Sequence, residues 1–328
     1  MDAMPGREPA RLVYHPAGQD AELRAAVDDL RVGRWLSTRT LLDSTGRDWS
    51  RRSARTQVLS VVAPRSDALE HWAQEEPGSP DLAILRLRVE VERAAAAHAA
   101  GRRDAVELEQ NARQSSWRAV EEHPADPVPW LCLLTLATLD PEQRRAEHRD
   151  PGPDMMLPPG PWGLFFEANR RDPFNREAHV RMLRYWLTVR RWSATDFVNF
   201  VLPNAPYGSP LFVLPLYLSV EQYRSDRRRD IARRQWLREP HRDRAVAAFE
   251  SWTATEQPDQ WPVVDLSHLA HALWAGVRMR EAVEVFGALG SFASQAPWIH
   301  VADSPELAES LLLTARHQAY VGSSSGQS

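Results

Sequence analysis

The sequence contains no lysine, because all 40 of its basic residues are arginine. This absence excludes a Schiff-base lysine, a phosphate-loop lysine and a kinase-type lysine, together with the chemistries that need them. An arginine-only set of basic residues is typical of a GC-rich, bacterial genome. Acidic residues outnumber basic ones by 44 to 40, and the resulting net charge of −4 is too small to indicate a nucleic-acid or membrane partner.

Cysteine is almost absent as well, since Cys132 stands alone. A single cysteine excludes an internal disulfide and a zinc site built from cysteines, and it suits a reducing compartment. The residues on both sides of Cys132 are apolar, with Leu131 before it and Leu133 after it. We therefore expect a buried thiol with a raised pKa and no catalytic role.

Long apolar runs and nucleotide-binding motifs are also lacking. The longest apolar run, from Leu211 to Val220, is interrupted by Pro215 and is too short to span a membrane. The segment from Met1 to Arg11 is polar and contains proline, with no apolar stretch to serve as a secretory signal, so we expect a cytoplasmic protein. The sequence has no glycine-rich phosphate loop, no dinucleotide fingerprint and no Gly-x-Ser-x-Gly motif. We therefore expect no cofactor and favour a protein that is not an enzyme.

The pattern that is present is helical. From Ala21 to Val32, apolar residues recur at the spacing that places them on one face of a helix. The best strand candidate, Gln57 to Ala63, lacks a partner run, so we predict a helix there too. The other clear helical segments are 81–100, 177–189 and 266–277. The predicted fold class is all-α, with about 12 to 14 helices.

Three glycines mark turns between helices. Gly33, Gly101 and Gly276 each follow one helical run and precede another within a few residues. Glycine just past a helix end accepts the left-handed conformation that closes the helix. A short connection then folds the second helix back on the first. The sequence therefore predicts an array of antiparallel helical hairpins.

The last hairpin, residues 265–290, carries a family resemblance. Ala270 lies on its first helix, Gly276 near its turn, and Ala282 and Phe286 four residues apart on its second helix. This arrangement resembles a tetratricopeptide repeat (TPR), although Gly276 comes one position early and no proline closes the repeat. The resemblance implies a TPR-like α-solenoid whose concave face binds proteins or peptides, and it implies no catalysis.

Proline and glycine cluster in residues 140–163. A stretch of this length without a helical pattern is usually functional or disordered. We expect it to be a loop that separates an N-terminal sub-array, residues 11–139, from a C-terminal sub-array, residues 164–320. The two ends of the chain, residues 1–10 and 321–328, are expected to be flexible tails.

Arginines are concentrated between Tyr223 and Arg244. This segment contains nine arginines and only four acidic residues. Arginine forks beside a tryptophan can bind carboxylates or phosphates, whereas the simpler interpretation is a solvated helix with internal Asp–Arg pairs. No nucleic-acid reading module is present, so nucleic acid is not expected. The candidate partner-binding residues are Arg227, Arg228, Arg229, Arg233, Arg234 and Trp236.

Two polar clusters are candidates for chemistry. Asp265, His268 and His271 lie three residues apart on one helical face, close enough to share a divalent ion if a further ligand came from elsewhere. The alternative is that Asp265 caps the helix while both histidines are packed and hydrogen-bonded. The second cluster, from Asp172 to His179, is better explained as a helix cap formed by Asp172 than as an active site.

These observations predict an intracellular helical-repeat scaffold or adaptor that binds a protein or peptide, and the arginines favour an acidic one. The alternative function is a metal-dependent enzyme that uses the His/Asp cluster. Thirteen tryptophans are spread from Trp35 to Trp298. We expect most of them to fill helix interfaces and some to line a binding groove. The oligomeric state is left open.

Overall fold

The computed structural model describes residues 11–226, 232–255 and 261–325. These residues form α-helices and short 3-10 helices, and they contain two isolated β-bridges but no strand. The predicted all-α class is confirmed. The described residues form sixteen α-helices rather than about 12 to 14, because short helices such as the four-residue Trp298–Val301 add to the count. None of the described helices is both long and apolar enough to cross a membrane.

The chain forms two compact units. The N-terminal unit is Asp20–Leu214, and the C-terminal unit consists of the described residues of Met1–Gln19 and Pro215–Ser328. Residues 140–163, which we expected to separate two sub-arrays, lie inside the N-terminal unit. The expected tail at residues 1–10 lies outside the described residues.

Ten α-helices make up most of the N-terminal unit. They are α1 (Ala21–Arg31), α2 (Leu36–Thr45), α3 (Trp49–Val62), α4 (Ala68–Glu75), α5 (Pro80–Ala99), α6 (Ala105–Glu122), α7 (Val128–Ala137), α8 (Trp162–Arg171), α9 (Arg176–Val189) and α10 (Ser193–Val201). The helix predicted for Gln57 to Ala63 is confirmed as the end of α3 and the start of a 3-10 turn. Side chains cap several of these helices; for example, Asp20 accepts a hydrogen bond from the Leu23 amide at 3.0 Å.

Two of the three predicted glycine turns lie in this unit. Gly33 (φ +82°) follows α1, and Gly101 (φ +61°) follows α5. Both adopt the left-handed conformation that the turn requires, which confirms the prediction. Helix α1 packs against α2, and α5 packs against α6, so each turn joins two helices that are in contact.

A buried ion pair joins three helices of the N-terminal unit. The guanidinium of Arg88 on α5 binds both carboxylate oxygens of Glu177 on α9, at 2.7 and 2.8 Å. It also donates to the carbonyl of Ser53 on α3 at 3.2 Å. Burial alone would raise the pKa of Glu177, but the charges and hydrogen bonds of Arg88 and Arg181 outweigh burial and hold that pKa below its usual value.

Cys132 lies in the core of the N-terminal unit, beside Arg88. Burial raises the pKa of its thiol to about 12, mainly because the thiolate would lose its hydration. The expectation of a buried thiol with a raised pKa is therefore confirmed. A thiol in this state is a small apolar side chain rather than a nucleophile.

The segment between α7 and α8 is held by hydrogen bonds. The carboxylate of Asp140 accepts from the amides of Arg144 and Arg145, and it lies 2.8 Å from the ring of His148, which is fully buried. Gln143 has a positive φ of +52° and donates to the Tyr185 hydroxyl at 2.6 Å. These contacts attach a segment without α-helix to the helical core of the same unit.

The C-terminal unit contains the remaining described helices. They are α11 (Leu214–Ser225), α12 (His241–Ala254), α13 (Val263–Ala275), α14 (Met279–Leu289), α15 (Trp298–Val301) and α16 (Ala308–Ser325). Within this unit, a short parallel bridge joins residues 11–19 to the rest, and the Val13 amide donates to the Ser291 carbonyl at 2.8 Å. Helix α16 continues to Ser325, within the segment 321–328 that we expected to be a tail.

The last hairpin consists of α13 and α14, which pack against each other. At its turn the left-handed residue is Val277 (φ +58°), whereas Gly276 has a φ of −83°. A Cβ atom on Gly276 would lie 3.0 Å from the Ala272 carbonyl oxygen and 3.2 Å from the Trp236 carbonyl oxygen, so the backbone crowds a side chain at this position. Ala282 and Phe286 are buried, as in any closely packed helix pair, and the TPR relationship stays a prediction.

Candidate functional site

A cavity of about 520 Å³ lies in the C-terminal unit. Helices α13 and α16, the 3-10 helix Arg233–Leu237 and residues 301–307 contribute its walls. Most of the lining is apolar, and three of the side chains are aromatic: Tyr223, Trp236 and Trp274. Its polar side chains include those of Arg233, His271, Asp303 and Gln318. This size is typical of pockets that hold small ligands or a partner's side chain.

The cavity brings together residues from two separate sequence predictions. Arg233 and Trp236, predicted to bind a partner, line it together with His271, which was considered as a metal ligand. Arg234 is exposed on the same 3-10 helix. The other predicted partner-binding residues, Arg227, Arg228 and Arg229, lie outside the described residues.

His271 lies among tryptophan rings. Its ring centroid is 4.8 Å from that of Trp236 and 5.4 Å from that of Trp298, both edge to face, and 6.0 Å from that of Trp274. Burial, with a smaller contribution from the nearby His268, lowers the pKa of His271 to about 3, so the imidazole is neutral. Its Nδ1 atom is buried without a hydrogen-bond partner in the described part of the chain.

The other two residues of the His/Asp cluster are engaged in different contacts. The Tyr217 hydroxyl donates to Asp265 at 2.6 Å, and the Tyr217 ring stacks on His268 at 4.0 Å. Nδ1 of His268 lies 2.8 Å from the Val264 carbonyl oxygen. Asp265 is in the first turn of α13, whose N-cap is Pro262 rather than Asp265. Among the described residues, no three His, Cys, Asp or Glu side chains are placed to hold a metal ion.

The charged side chains at the mouth of the cavity are paired. Arg233 forms an ion pair with Asp303, and its Nε lies 3.4 Å from the Tyr223 hydroxyl. Both charged side chains are about half exposed or more, so they remain accessible to solvent. Trp274 donates from its indole nitrogen to Gln318 at 2.9 Å, which joins α13 to α16 at the surface. The mouth is polar and the interior is neutral.

A second concave surface, in the N-terminal unit, was not anticipated from the sequence. This groove of about 1120 Å³ contains Trp35, whose ring stacks on Trp72 at 5.5 Å. The position of Trp35 just after the Gly33 turn was the sequence feature that could have indicated this groove. Two of the carboxylates in the groove are already paired with arginines: Glu22 with Arg55 at 2.7 Å, and Glu76 with Arg39 at 3.4 Å. We take the cavity of the C-terminal unit as the candidate site because Arg233, Trp236 and His271, three residues singled out in the sequence, line it.

The cluster from Asp172 to His179 is structural. Asn175, rather than Asp172, caps α9, because its side chain accepts from the Ala178 amide at 2.8 Å. Asp172 in turn accepts from the Asn175 side chain. The ring of His179 packs edge to face on Phe165 at 4.9 Å, and burial lowers the pKa of His179 to about 4. Asx capping explains this cluster, as expected, but the capping residue is the asparagine.

We expect the protein to lose stability as the pH falls from 6.5 towards 5. His179 and His271 stay neutral when folded, with pKa values of about 4 and about 3, whereas unfolded histidine titrates near pH 6.5. In this window the unfolded state binds more protons, so each buried histidine lowers the free energy of unfolding by up to about 1.4 kcal/mol per pH unit. Urea unfolding at pH 7.5 and 5.5 measures the loss.

The variant His179→Gln is the control for this pH dependence. Burial also lowers the pKa values of His148, His241 and His300, so His179→Gln removes one of several titrating groups. Its loss of stability between pH 7.5 and 5.5 should therefore be smaller than that of the wild type, but not zero. Glu177 does not interfere, because its lowered pKa affects stability only below the ordinary glutamate pKa. An equal loss in the variant and the wild type would contradict a neutral, buried His179.

Comparison with protein-family models, curated proteins and solved structures finds no match to this chain. The resemblance of residues 265–290 to a tetratricopeptide repeat thus stays a prediction. The interpretation of the cavity therefore depends on its own side chains. These are an aromatic wall, the neutral imidazole of His271, and Arg233 at the mouth, which is paired with Asp303.

Proposed function

We propose that this chain is a helical-repeat scaffold or adaptor that binds a protein or peptide, and that the partner inserts a side chain into the cavity of the C-terminal unit. The observation that carries the proposal is the presence of Arg233, Trp236 and Trp274 in one cavity. Tryptophan and arginine are the residues that most often dominate binding energy at protein interfaces, where they surround desolvated pockets.

A TPR-like arrangement of hairpins is the architecture we propose for the binding surface. It agrees with the packed hairpin of α13 and α14, in which Ala282 and Phe286 are buried as in other helix pairs. A cytoplasmic location fits the single cysteine, since Cys132 needs no oxidising compartment. Helical repeats of this kind use an extended concave face for binding rather than for catalysis.

An acidic partner fits the arginines around the cavity. Arg233 at the mouth is paired with Asp303, and Arg234 is exposed nearby on the same 3-10 helix. A carboxylate of the partner would take the place of Asp303 on the Arg233 fork or would bind Arg234. Because these groups are exposed, their contribution is mainly to the association rate and depends on salt.

The proposal is tested by blocking the cavity. Thr314 is an exposed residue of α16 that lines the cavity, so Thr314→Trp fills the mouth without disturbing the core. Thr253→Trp places the same side chain at an exposed position of α12, outside the cavity lining, and is the matched control. Affinity capture from the native host, with mass spectrometry, should identify proteins that bind wild type and Thr253→Trp but not Thr314→Trp.

Binding of the purified partner then measures the effect. We expect Thr314→Trp to raise the Kd at least about tenfold, as loss of a hot-spot pocket does, and Thr253→Trp to leave it unchanged. Melting temperatures of both variants establish that they are folded. Undiminished binding of the partner to the folded Thr314→Trp variant would exclude the cavity as the binding site.

A further inference from the structure

Two charged side chains meet at the cavity of the C-terminal unit. Among the described residues that line it, Arg233 and Asp303 are the ones that carry a charge, because burial keeps His271 neutral. Arg233 begins the 3-10 helix Arg233–Leu237, whereas Asp303 lies between α15 and α16. They form an ion pair although 70 residues separate them in sequence, so the pair joins two walls of the cavity.

The ion pair is accessible to solvent. The side chain of Arg233 is 49% exposed and that of Asp303 is 72% exposed. An ion pair with this exposure contributes little to stability, because water solvates both charges when they separate. The buried ion pair of Arg88 and Glu177 is different, since both of its side chains are only 4% exposed. The contact between Arg233 and Asp303 can therefore open without unfolding the C-terminal unit.

Asp303 occupies a position on Arg233 that a ligand carboxylate would take. The guanidinium donates from a terminal nitrogen to Asp303, and its Nε lies 3.4 Å from the Tyr223 hydroxyl. A carboxylate binds most strongly to two parallel N–H groups of a guanidinium, and Asp303 already engages one of them. Its negative charge also offsets the charge of Arg233 and repels a second carboxylate. Without Asp303, the cation at the mouth would be unopposed.

The remaining lining indicates what else a ligand carries. Trp236 and Trp274 form an aromatic wall, and the volume of about 520 Å³ has room for a ring or a branched aliphatic group. Apolar surface also extends to exposed lining residues, because Val277 is 60% exposed and Leu307 is 51% exposed. A ligand with an apolar body and one carboxylate would match both the apolar wall and Arg233.

We infer that the cavity binds an apolar group that carries a carboxylate, and that Asp303 is an internal competitor that occupies Arg233 in the free protein. This inference rests on the proposed function, because it names the chemistry that the partner presents and the residue that opposes it. The ion pair is thus an autoinhibitory contact. Asp303 lowers the affinity of the cavity for acidic ligands and leaves its affinity for neutral ones unchanged.

The inference is tested with two probes of the same shape and different charge. Phenylacetate and phenylacetamide share one apolar ring and end in a carboxylate or an amide. Each probe is titrated against the full chain at low ionic strength, where screening is weakest, and followed by ligand-detected NMR. We expect Asp303→Asn to bind phenylacetate about two- to fivefold more tightly than the wild type, as the loss of one exposed ion pair allows. The affinity for phenylacetamide should not change.

Glu306→Gln is the matched control for charge. Glu306 is an exposed carboxylate three positions after Asp303 and outside the cavity lining, so its replacement changes the net charge equally. This variant should bind both probes as the wild type does. Arg233→Gln should weaken phenylacetate binding and should remove the gain when it is combined with Asp303→Asn. Melting temperatures of these variants should match that of the wild type, because the pair is exposed.

Three results would overturn the inference. The first is equal affinity of the wild type and Asp303→Asn for phenylacetate, or no binding of phenylacetate to the folded variant. The second is an equal gain in Glu306→Gln, since net charge alone would then explain the effect. The third is an equal gain with phenylacetamide, because Asp303 would then obstruct the cavity instead of neutralising Arg233.

The proposed function and this inference can fail separately. A phenylacetate gain in Asp303→Asn, without any partner that Thr314→Trp releases, would support this inference and refute the proposed function. A partner released by Thr314→Trp, together with an unchanged affinity of Asp303→Asn for phenylacetate, would support the proposed function and refute this inference.

Discussion

Replacing Glu177 by alanine is expected to lower the free energy of unfolding by about 3–5 kcal/mol. Its carboxylate binds Arg88 through two hydrogen bonds, and both side chains are only 4% exposed. Removal of the carboxylate leaves a buried guanidinium without its counter-charge, and that group can neither be rehydrated nor lose its proton. Urea unfolding followed by circular dichroism measures the change.

Two further variants show whether the effect comes from the buried charge. Glu142→Ala removes an exposed carboxylate that lies 3.9 Å from Arg144, and it should change the free energy of unfolding by about 0–1 kcal/mol. The double variant Arg88→Met with Glu177→Leu replaces both charges by apolar groups, so it should recover part of the loss. Arg181, which also bonds Glu177 at 3.3 Å, keeps its ion pair with Glu92 at 3.4 Å. If Glu177→Ala costs no more than Glu142→Ala, the ion pair does not stabilise the core.

The use of arginine as the basic residue bears on how this core is built. Arg52 of α3 binds Asp81 at 2.7 Å and Asp126 at 3.0 Å, and its side chain is 7% exposed. A planar guanidinium has five donors in a fixed fork, so one arginine can satisfy two acceptors at once, which a lysine ammonium does less well. Arg52 and Arg88 therefore join helices that are distant in sequence through charged hydrogen bonds instead of apolar contacts alone.

The helices and two of the turns were predictable because they depend on local sequence. Apolar spacing placed the helix from Ala21, and a glycine past a helix end identified the turns at Gly33 and Gly101. The third glycine shows the limit of this reasoning. A Cβ atom at Gly276 would be crowded by the carbonyl oxygen of Trp236, 40 residues away in sequence, and the left-handed position falls on Val277 instead.

The candidate site was predictable only in part. Arg233 and Trp236 stood out by local composition, and His271 by its spacing from another histidine. The cavity itself requires α16, whose residues Thr314 and Gln318 carry no distinctive pattern. The pairing of Arg88 with Glu177 was equally hidden, because the two residues are 89 positions apart and only tertiary packing brings them together.

Replacing Phe286 by alanine is expected to lower the free energy of unfolding of the C-terminal unit by about 3–5 kcal/mol. Its ring is 1% exposed and stacks on Trp298 at 6.4 Å, so the substitution leaves a cavity between α14 and α15. Thermal and urea unfolding measure the loss.

Leu237→Ala is the control for this prediction. Leu237 is 51% exposed in the same unit, so its replacement should lower the free energy of unfolding by no more than about 0.5 kcal/mol. Similar losses for the two variants would mean that Phe286 does not occupy the core, and the TPR-like assignment of α14 would fail with it.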